Sequence, residues 1–596
     1  MQPVDQQIYD VIVIGSGGAG LVSAVNLAKS GLKVIVLSKV FPTRSHTVAA
    51  KGGVNAPLGN VTQDNPEWFM YDTIKGGDWL SDQDSVEILC NRAKSAIVNL
   101  ENSGVPFSRD HNGKIYQRAY GGQTTDFGNG ELAYRACSVA DRTGHAILHN
   151  LYQSSLRNNV VINSEIFVLD LIVDGGQIRG VLAWDFGEAK LIYVKSNYVV
   201  MATGGFGQLY NTNTSSSICT GDGNALALRA GIMLQDMEFI QFHPTGLYNL
   251  GILITEAARA EGGYLLNGLG ERFMKNYAPK YLELASRDII SRAIINEISL
   301  GRGSGKNKDQ VEIDIRHLGK DKILKFLPSV YDTCKVFLGI DVTKHTIPVC
   351  PSVHYTMGGI PTNKYGEVTY ADNGNQVKIN GLYAIGETAS SSVHGANRLG
   401  CNSLLELIVF GEISAESIKD NISKMKTNDD NSSNITKLVN QKASAFYSLF
   451  SESSDNTDSI DEYRKELGVV MEKYVGVVRS EDSLLSAKKE VSRILDVVNN
   501  LKIKNNSLYE NPQLMSLLEL RNLVLQAVIV VEMSLWRRES RGAHYRSDYR
   551  DRDDNQFLKH SLCGFDNSGK IKKSENKVRQ LSGKLSKKLA PNNRVY

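Results

Sequence analysis

The sequence predicts an α/β fold in which a mostly parallel sheet is interrupted by an inserted α+β domain and followed by a helical domain and a C-terminal region. Three observations carry this. A glycine-rich βαβ unit opens the chain, strand-to-glycine turns recur near residues 200 and 384, and the composition becomes helical beyond Gly411. With 596 residues the chain exceeds the roughly 250–300 residues at which single cores stop growing.

Tyr9 to Ile14 (YDVIVI) is a continuous apolar run rich in β-branched residues, the pattern of a strand buried on both faces. Gly15-Ser16-Gly17-Gly18-Ala19-Gly20 follows, then a helix to Ser30, then Leu32 to Leu37 as a second strand. G-x-G-x-x-G between strand and helix allows a tight turn, and the helix N-terminus offers amides to a pyrophosphate. The unit therefore predicts a dinucleotide. Its second strand ends in Ser38-Lys39, where such folds often place an acidic residue for the ribose. A serine hydroxyl can also reach a ribose, so this motif leaves NAD and FAD both open.

Phe41 to Thr47 (FPTRSHT) then places His46 in a polar loop. Taken alone, such a histidine is ordinarily structural. Gly52-Gly53 and Gly121-Gly122 add permissive backbone suited to wrapping an extended ligand, or to ordinary turns. Tyr198 to Ala202 and Gly381 to Glu387 read as further strands of the first sheet. A sheet completed so late implies an insertion, placed at residues 233–353. The nucleotide-binding parts are then 1–232 and 354–415, the helical domain 416–545 and the C-terminal region 546–596. Lys424 to Thr436 reads as a polar linker or helix-joining loop, and the lysine-rich stretch from Ser568 as an exposed, partly ordered tail.

Polar clusters mark the insert and its exit: Gln241 to Thr245 with His243, Thr255 to Arg259, Ser286-Arg287-Asp288, His354-Tyr355-Thr356, and Arg398 beyond. Glu256 and Arg259 share a face if helical, and an exposed ion pair is the ordinary outcome of that spacing. Arg287 paired with Asp288 is the corresponding structural alternative.

The balance of 67 basic and 64 acidic residues points to no nucleic-acid surface. Seven scattered cysteines form no Cys-x-x-Cys pair and no zinc spacing, so no metal site is expected and any iron-sulfur centre belongs to a partner. The first ten residues carry no positive charge, which argues against a signal or transit peptide. Leu523 to Trp536 is apolar but short of the roughly 20 residues that span a bilayer, so a buried helix is expected there.

The motifs GSGGAG at 15–20, SKVFPTRSHTVAAKGG at 38–53, VADRTGHAILH at 139–149, QFHPTG at 241–246, SRD at 286–288, HYTMGGIPTN at 354–363, GLYAIGE at 381–387, HGANRLGCNSLLE at 394–406 and SRGAHYRSDY at 540–549 together resemble the succinate dehydrogenase/fumarate reductase flavoprotein family over nearly the whole chain. The resemblance implies an FAD-binding Rossmann-like domain with an inserted capping domain. It implies FAD joined covalently to His46. Cofactor contacts fall to Gly15, Gly17, Gly18, Gly20, Ser38, Thr43, Ser45, Thr47, Ala202, Asp222, Glu387, Arg398, Ser403 and Leu404, and to the turn at Gly52 and Gly53 that reads as ligand-wrapping backbone. It places His243, Thr255, His354 and Arg398 around succinate, and makes Arg287 the acid/base residue with Glu256 and Arg259 as proton relay.

The implied partners are an iron-sulfur subunit and membrane-anchor subunits. The implied location is the cytoplasmic side of a bacterial inner membrane, or the matrix side of the mitochondrial one. Fumarate reductase is the main alternative, with L-aspartate oxidase and a non-catalytic flavin module further off. His46 counts against the oxidase, and the presence of His243, His354, Arg287 and Arg398 against the module. The sequence departs from the family at Lys51, at Arg550 and in the asparagine-rich stretch near residue 430.

Overall fold

The computed structural model describes residues 4–372, 375–422, 432–450, 459–504, 507–566, 568–583 and 585–594. Most of the expected linker at 424–436, including its asparagine-rich part, lies outside them. Strand Val11–Ile14 is buried at every position because both faces of its sheet are covered. Ile12 and Ile14 enter one apolar core with Ile35 and Leu37, whereas Val11 and Val13 enter a second with Val34 and Val36. That is why the run shows no alternation.

Val11–Ile14 pairs in parallel with Val34–Ser38 on one side and Val199–Met201 on the other, and Val199–Met201 pairs with the end of strand Asn375–Ala384. The first sheet is thus closed by chain 370 residues downstream of its start. An antiparallel run through Ile166–Asp174, Gln177–Asp185 and Lys190–Lys195 extends it, and Asp5–Ile8 lies on the edge. Helices Gly18–Lys29 and Asn402–Ile422 pack on each other through Ser23–Ser414, with Gly411 facing Val22 and Ala19.

The insert builds its own antiparallel sheet from Ile240–Leu247, Ile347–Thr356, Val311–Asp314 and Tyr264–Leu266, over a separate core that includes Ile254, Phe273, Ile290, Ile294, Ile313 and Val349. Helix Arg287–Ser299 lies against this sheet, Ser291 bonding the Phe242 carbonyl at 3.0 Å.

Two expectations change. The apolar segment before Trp536 belongs to a longer helix, Pro512–Trp536, begun by an Asn511 cap and Pro512. It is the one helix among the described residues that is long and apolar enough to cross a membrane. Yet 72% of its apolar window is buried in the molecule, and three of its polar residues are aimed inward. Glu519 accepts from Lys39 at 2.7 Å, Asn522 donates to Asp222 at 2.9 Å and Gln526 donates to the Gly221 carbonyl at 3.3 Å.

The C-terminal stretch is exposed as expected but more firmly ordered than a partly ordered tail. Lys559–Phe565 and Ile571–Lys577 form a hairpin that pairs with Leu234–Gln235. Its lysines read as a solvated tail because the second strand faces water while the first is buried. Beyond it Leu589 is buried, and Arg594 reaches Asp78 and Asp288 at 3.0 and 2.8 Å.

Candidate active site

A long cavity with about 1600 Å³ of empty space, partly open to solvent, runs from the Gly15–Gly18 turn to the inserted sheet. At the turn, glycine is enforced by packing. A Cβ on Gly15, whose φ is +102°, would lie 2.3 Å from the Ala202 carbonyl oxygen, and one on Gly20 would lie 2.0 Å from the Gly15 carbonyl oxygen. Gly17 differs: its Cβ would meet nothing closer than 3.5 Å and would occupy space in the cavity. The helix beginning at Gly18 has no side-chain cap and no acidic residue in its first turn, which suits an anionic group. The turn therefore fits a pyrophosphate.

Hydroxyls fasten the His46 loop to this turn. Gly18 N–H donates to Thr47 Oγ1 at 3.0 Å, and Ser16 links Ser38 at 2.6 Å and Ser45 at 3.3 Å. The acid missing after the second strand comes from elsewhere. Asp222 lines the same end of the cavity as Ser38 and Lys39, and it accepts from Lys39 at 2.8 Å. Burial opposes its ionisation, but Lys39 outweighs burial and holds its pKa below the usual carboxylate range.

Gly15, Gly17, Gly18, Ser38, Ser45, His46, Thr47, Gly52, Gly53, Ala202, Asp222, Glu387, Arg398, Ser403 and Leu404 all line the cavity. Gly20 lies beneath the turn, and Thr43 lies off the cavity in the 3-10 turn Pro42–Arg44. Ser16, Lys39, Tyr120, Thr203 and Thr214 line it without having been singled out from sequence. Lys39 had a signal, its place beside Ser38. Thr214 had none, because it reaches the site from an irregular loop.

His46 opens a 3-10 turn, His46–Ala49. Its Nδ1 accepts the Ser216 backbone N–H at 3.2 Å, which leaves Nε2 as the nitrogen without a partner among the described residues. Burial, and then the Arg398 charge, lower its pKa to about 4, so the imidazole is neutral at pH 7. Glu387, buried in the same wall, is pushed up to about 7.

The far end gathers the polar clusters of the insert. His243 and His354 sit on adjacent antiparallel strands with ring centroids 5.0 Å apart. Thr245 N–H holds His243 Nδ1 at 3.2 Å, and the Thr214 hydroxyl pairs with His354 Nδ1 at 2.7 Å. Burial, then Arg287, keep both imidazoles neutral, well below their ordinary pKa. Arg398 bonds Ser403 at 2.9 Å and lies 4.6 Å from the Tyr355 ring centroid, while its Nε has no partner among the described residues. Burial and the Arg287 charge lower its pKa to about 10. Thr255 completes this wall.

Glu256 and Arg259 do share a face, but their pair is buried rather than exposed: Nη2 lies 3.7 Å from Oε2 with both side chains nearly sealed from solvent. Glu256 also accepts from Arg287 Nε at 2.9 Å and from the Gly121 amide at 3.0 Å. Burial opposes its ionisation, yet the two guanidiniums hold its pKa below the ordinary value. Arg287 does not pair with Asp288. Its Nη1 bonds Gln241 at 3.0 Å, while Asp288 is taken by Arg292 and Arg594. Lys51 also lines the cavity and bonds the Leu253 carbonyl at 3.2 Å, and burial lowers its pKa. Arg550 lies at the exposed surface.

Among the described residues no group of three or more His, Cys, Asp or Glu side chains is arranged to hold a metal ion. A cavity with a phosphate-binding turn at one end and histidines and arginines at the other defines a dinucleotide-dependent enzyme for an anionic substrate. Comparison with known proteins makes this specific. A family model described as FAD binding domain matches residues 10–404, and one described as fumarate reductase flavoprotein C-term matches residues 464–596. The chain is 48% identical over 564 residues, 94% of each chain, to the succinate dehydrogenase flavoprotein subunit of Rickettsia bellii. It is 46% identical over 565 residues to the mitochondrial succinate dehydrogenase [ubiquinone] flavoprotein subunit of Oryza sativa, covering 94% of this chain and 88% of that one. Among solved structures, the quinol fumarate reductase of E. coli superimposes with a TM-score of 0.91 at 35% identity, covering 99% of this chain and 100% of that one. The chain belongs to the succinate dehydrogenase/fumarate reductase flavoprotein-subunit family, and its cofactor is FAD.

Proposed function

We propose that this chain is the catalytic flavoprotein subunit of a succinate dehydrogenase, oxidising succinate to fumarate with FAD held covalently through His46. The observation that carries the reading is the convergence of His243, His354, Thr255 and Arg398 on one wall, next to the Arg287–Glu256–Arg259 cluster. Bound FAD supplies the hydride acceptor. Arg398 neutralises one substrate carboxylate. The two histidines, uncharged and with Nδ1 engaged, offer Nε2 to the anion, and Thr255 offers its hydroxyl. With both ends held, the central carbons have one orientation, and positioning of this kind supplies much of the rate. Arg287 takes the proton from the carbon next to the one losing hydride as its guanidinium passes a proton to the Glu256 carboxylate, so its own charge is unchanged by the step. Glu256, 2.9 Å from Arg287 Nε, and Arg259 beyond it carry that proton away. Residues 233–353 act as the cap that excludes water.

In this reading electrons leave through an iron-sulfur subunit and reach quinone in membrane-anchor subunits. The complex places the chain peripherally at a membrane, on the cytoplasmic face in a bacterium or the matrix face in a mitochondrion. Identities of 46–48% to chains named succinate dehydrogenase favour succinate oxidation over fumarate reduction as the working direction. The test is acid denaturation of the purified protein followed by in-gel flavin fluorescence. Flavin should stay with the polypeptide and leave it in His46→Ser, with most succinate-dependent dye reduction lost. Flavin released from the unsubstituted protein overturns the covalent assignment.

A further inference from the structure

Tyr120 is a wholly buried tyrosine on strand Gln117–Thr124 that lines the cavity, and among the described residues its hydroxyl has no partner in good hydrogen-bonding geometry. A buried hydroxyl left in that state carries an uncompensated desolvation cost, and because this one faces the cavity a bound ligand can offset it.

Its surroundings leave one direction open. The ring packs against Gly400, where a Cβ would fall 3.1 Å from Cδ1, and the hydroxyl abuts Gly52, where a Cβ would fall 3.1 Å from Oη. The Thr255 hydroxyl and the Cys401 thiol flank it closely enough to interact with it, but neither sits in good hydrogen-bonding geometry. Its neighbours are committed elsewhere: the Arg118 guanidinium donates to Glu261 and to the Ala140 carbonyl, and Gly121 N–H donates to Glu256. The hydroxyl therefore stands between the flavin loop at Gly52 and the wall formed by Thr255 and Glu256. Burial, with the Cys401 charge next, pushes its pKa well above the ordinary tyrosine value, so it serves as a neutral O–H donor at every working pH. A donor that stays protonated in a water-poor site is matched by an anionic acceptor.

We propose that the Tyr120 hydroxyl is a further substrate-binding group, donating a hydrogen bond to one carboxylate of the dicarboxylate held by His243, His354, Thr255 and Arg398. This rests on the reading of that wall as the dicarboxylate site. The contact adds a fixed neutral donor at the Thr255 end, whereas Arg398 supplies a charged one. It contributes to the selection of diacids over monoacids without adding a positive charge near the proton relay.

Tyr120→Phe removes the one oxygen and keeps the ring that fills the space. The dissociation constant of malonate is measured from the perturbation of the flavin absorption spectrum, beside flavin content and midpoint potential. Loss of one hydrogen bond to a carboxylate weakens malonate by about tenfold, with flavin content and potential unchanged. An unchanged malonate constant in Tyr120→Phe, with malonate still binding the unsubstituted protein, overturns the proposal and leaves the wall reading standing. A shifted potential with an unchanged malonate constant assigns the hydroxyl to the cofactor and also overturns it. Failure of malonate to perturb the unsubstituted protein removes the dicarboxylate site itself.

Discussion

Replacing Arg287 by lysine tests the proton relay most directly. The guanidinium reaches two partners at once, Glu256 through Nε at 2.9 Å and Gln241 through Nη1 at 3.0 Å. A lysine ammonium is a point donor on a flexible stem and cannot reproduce that fork. If it keeps Glu256, the Gln241 oxygen is stranded in a buried site at a cost of about 1–3 kcal/mol; if it keeps Gln241, a charge-assisted bond worth about 1.5–3 kcal/mol is lost. Expressed in the transition state at 1.36 kcal/mol per decade, either outcome lowers kcat by about 10- to 100-fold. On the proposed mechanism, loss of arginine's geometry toward the substrate adds to this. The assay is succinate-dependent dye reduction, normalised to flavin content and read with KM and the thermal midpoint. A kcat within twofold of the unsubstituted enzyme, with flavin content retained, refutes Arg287 as the proton-transfer group.

Two glycines of one turn should part company. Gly20→Ala drives a methyl into the Gly15 carbonyl and should abolish soluble folded protein, whereas Gly17→Ala places it in the cavity and should leave the fold but lower flavin content, as unfolding curves and absorption at 450 nm will report. His560, buried between Asp236 at 2.6 Å and Asp82 at 3.3 Å, opposes the cost of burial through those carboxylates, and its pKa is raised to about 10. Its folded value exceeds its unfolded value near 6.5, so its contribution is full below pH 6.5 and is lost as pH rises toward 10. Urea midpoints measured across pH 6.5–10 should therefore fall, at no more than about 1.4 kcal/mol per pH unit from this group, and His560→Gln should be less stable at pH 6.5 with a flatter profile above it.

What the sequence made legible follows from how directly each residue meets its environment. Val11–Ile14 was readable because burial on both faces forces every position to be apolar. The glycines of the turn were readable because a Cβ there has nowhere to go. The Glu256–Arg259 spacing gave the shared face but not its burial, which depends on Gly121 and Arg287 arriving from other elements. Thr214 and Ser216, which hold His354 and His46, lie in a loop with no periodicity to mark it. The lysine-rich hairpin misled for the opposite reason: its exposed strand dominates the composition, while Arg594 and Leu589, which tie the region down, are single residues. The long helix was underestimated because Glu519, Asn522 and Gln526 interrupt its apolar run, and those residues are the ones turned toward Lys39, Asp222 and Gly221.

The late closure of the first sheet has a kinetic meaning. Strand Val199–Met201 is held between Val11–Ile14 and Asn375–Ala384, and the cavity walls run from Ile14 to Leu407. Contacts so distant along the chain form slowly, since loop closure precedes any gain from pairing. The opening βαβ unit must therefore wait, with its turn exposed, for nearly four hundred residues to arrive. Flavin that stays in place becomes a tally of chains that have completed this long-range assembly, so the flavin-to-protein ratio of a preparation measures folding yield as well as cofactor supply.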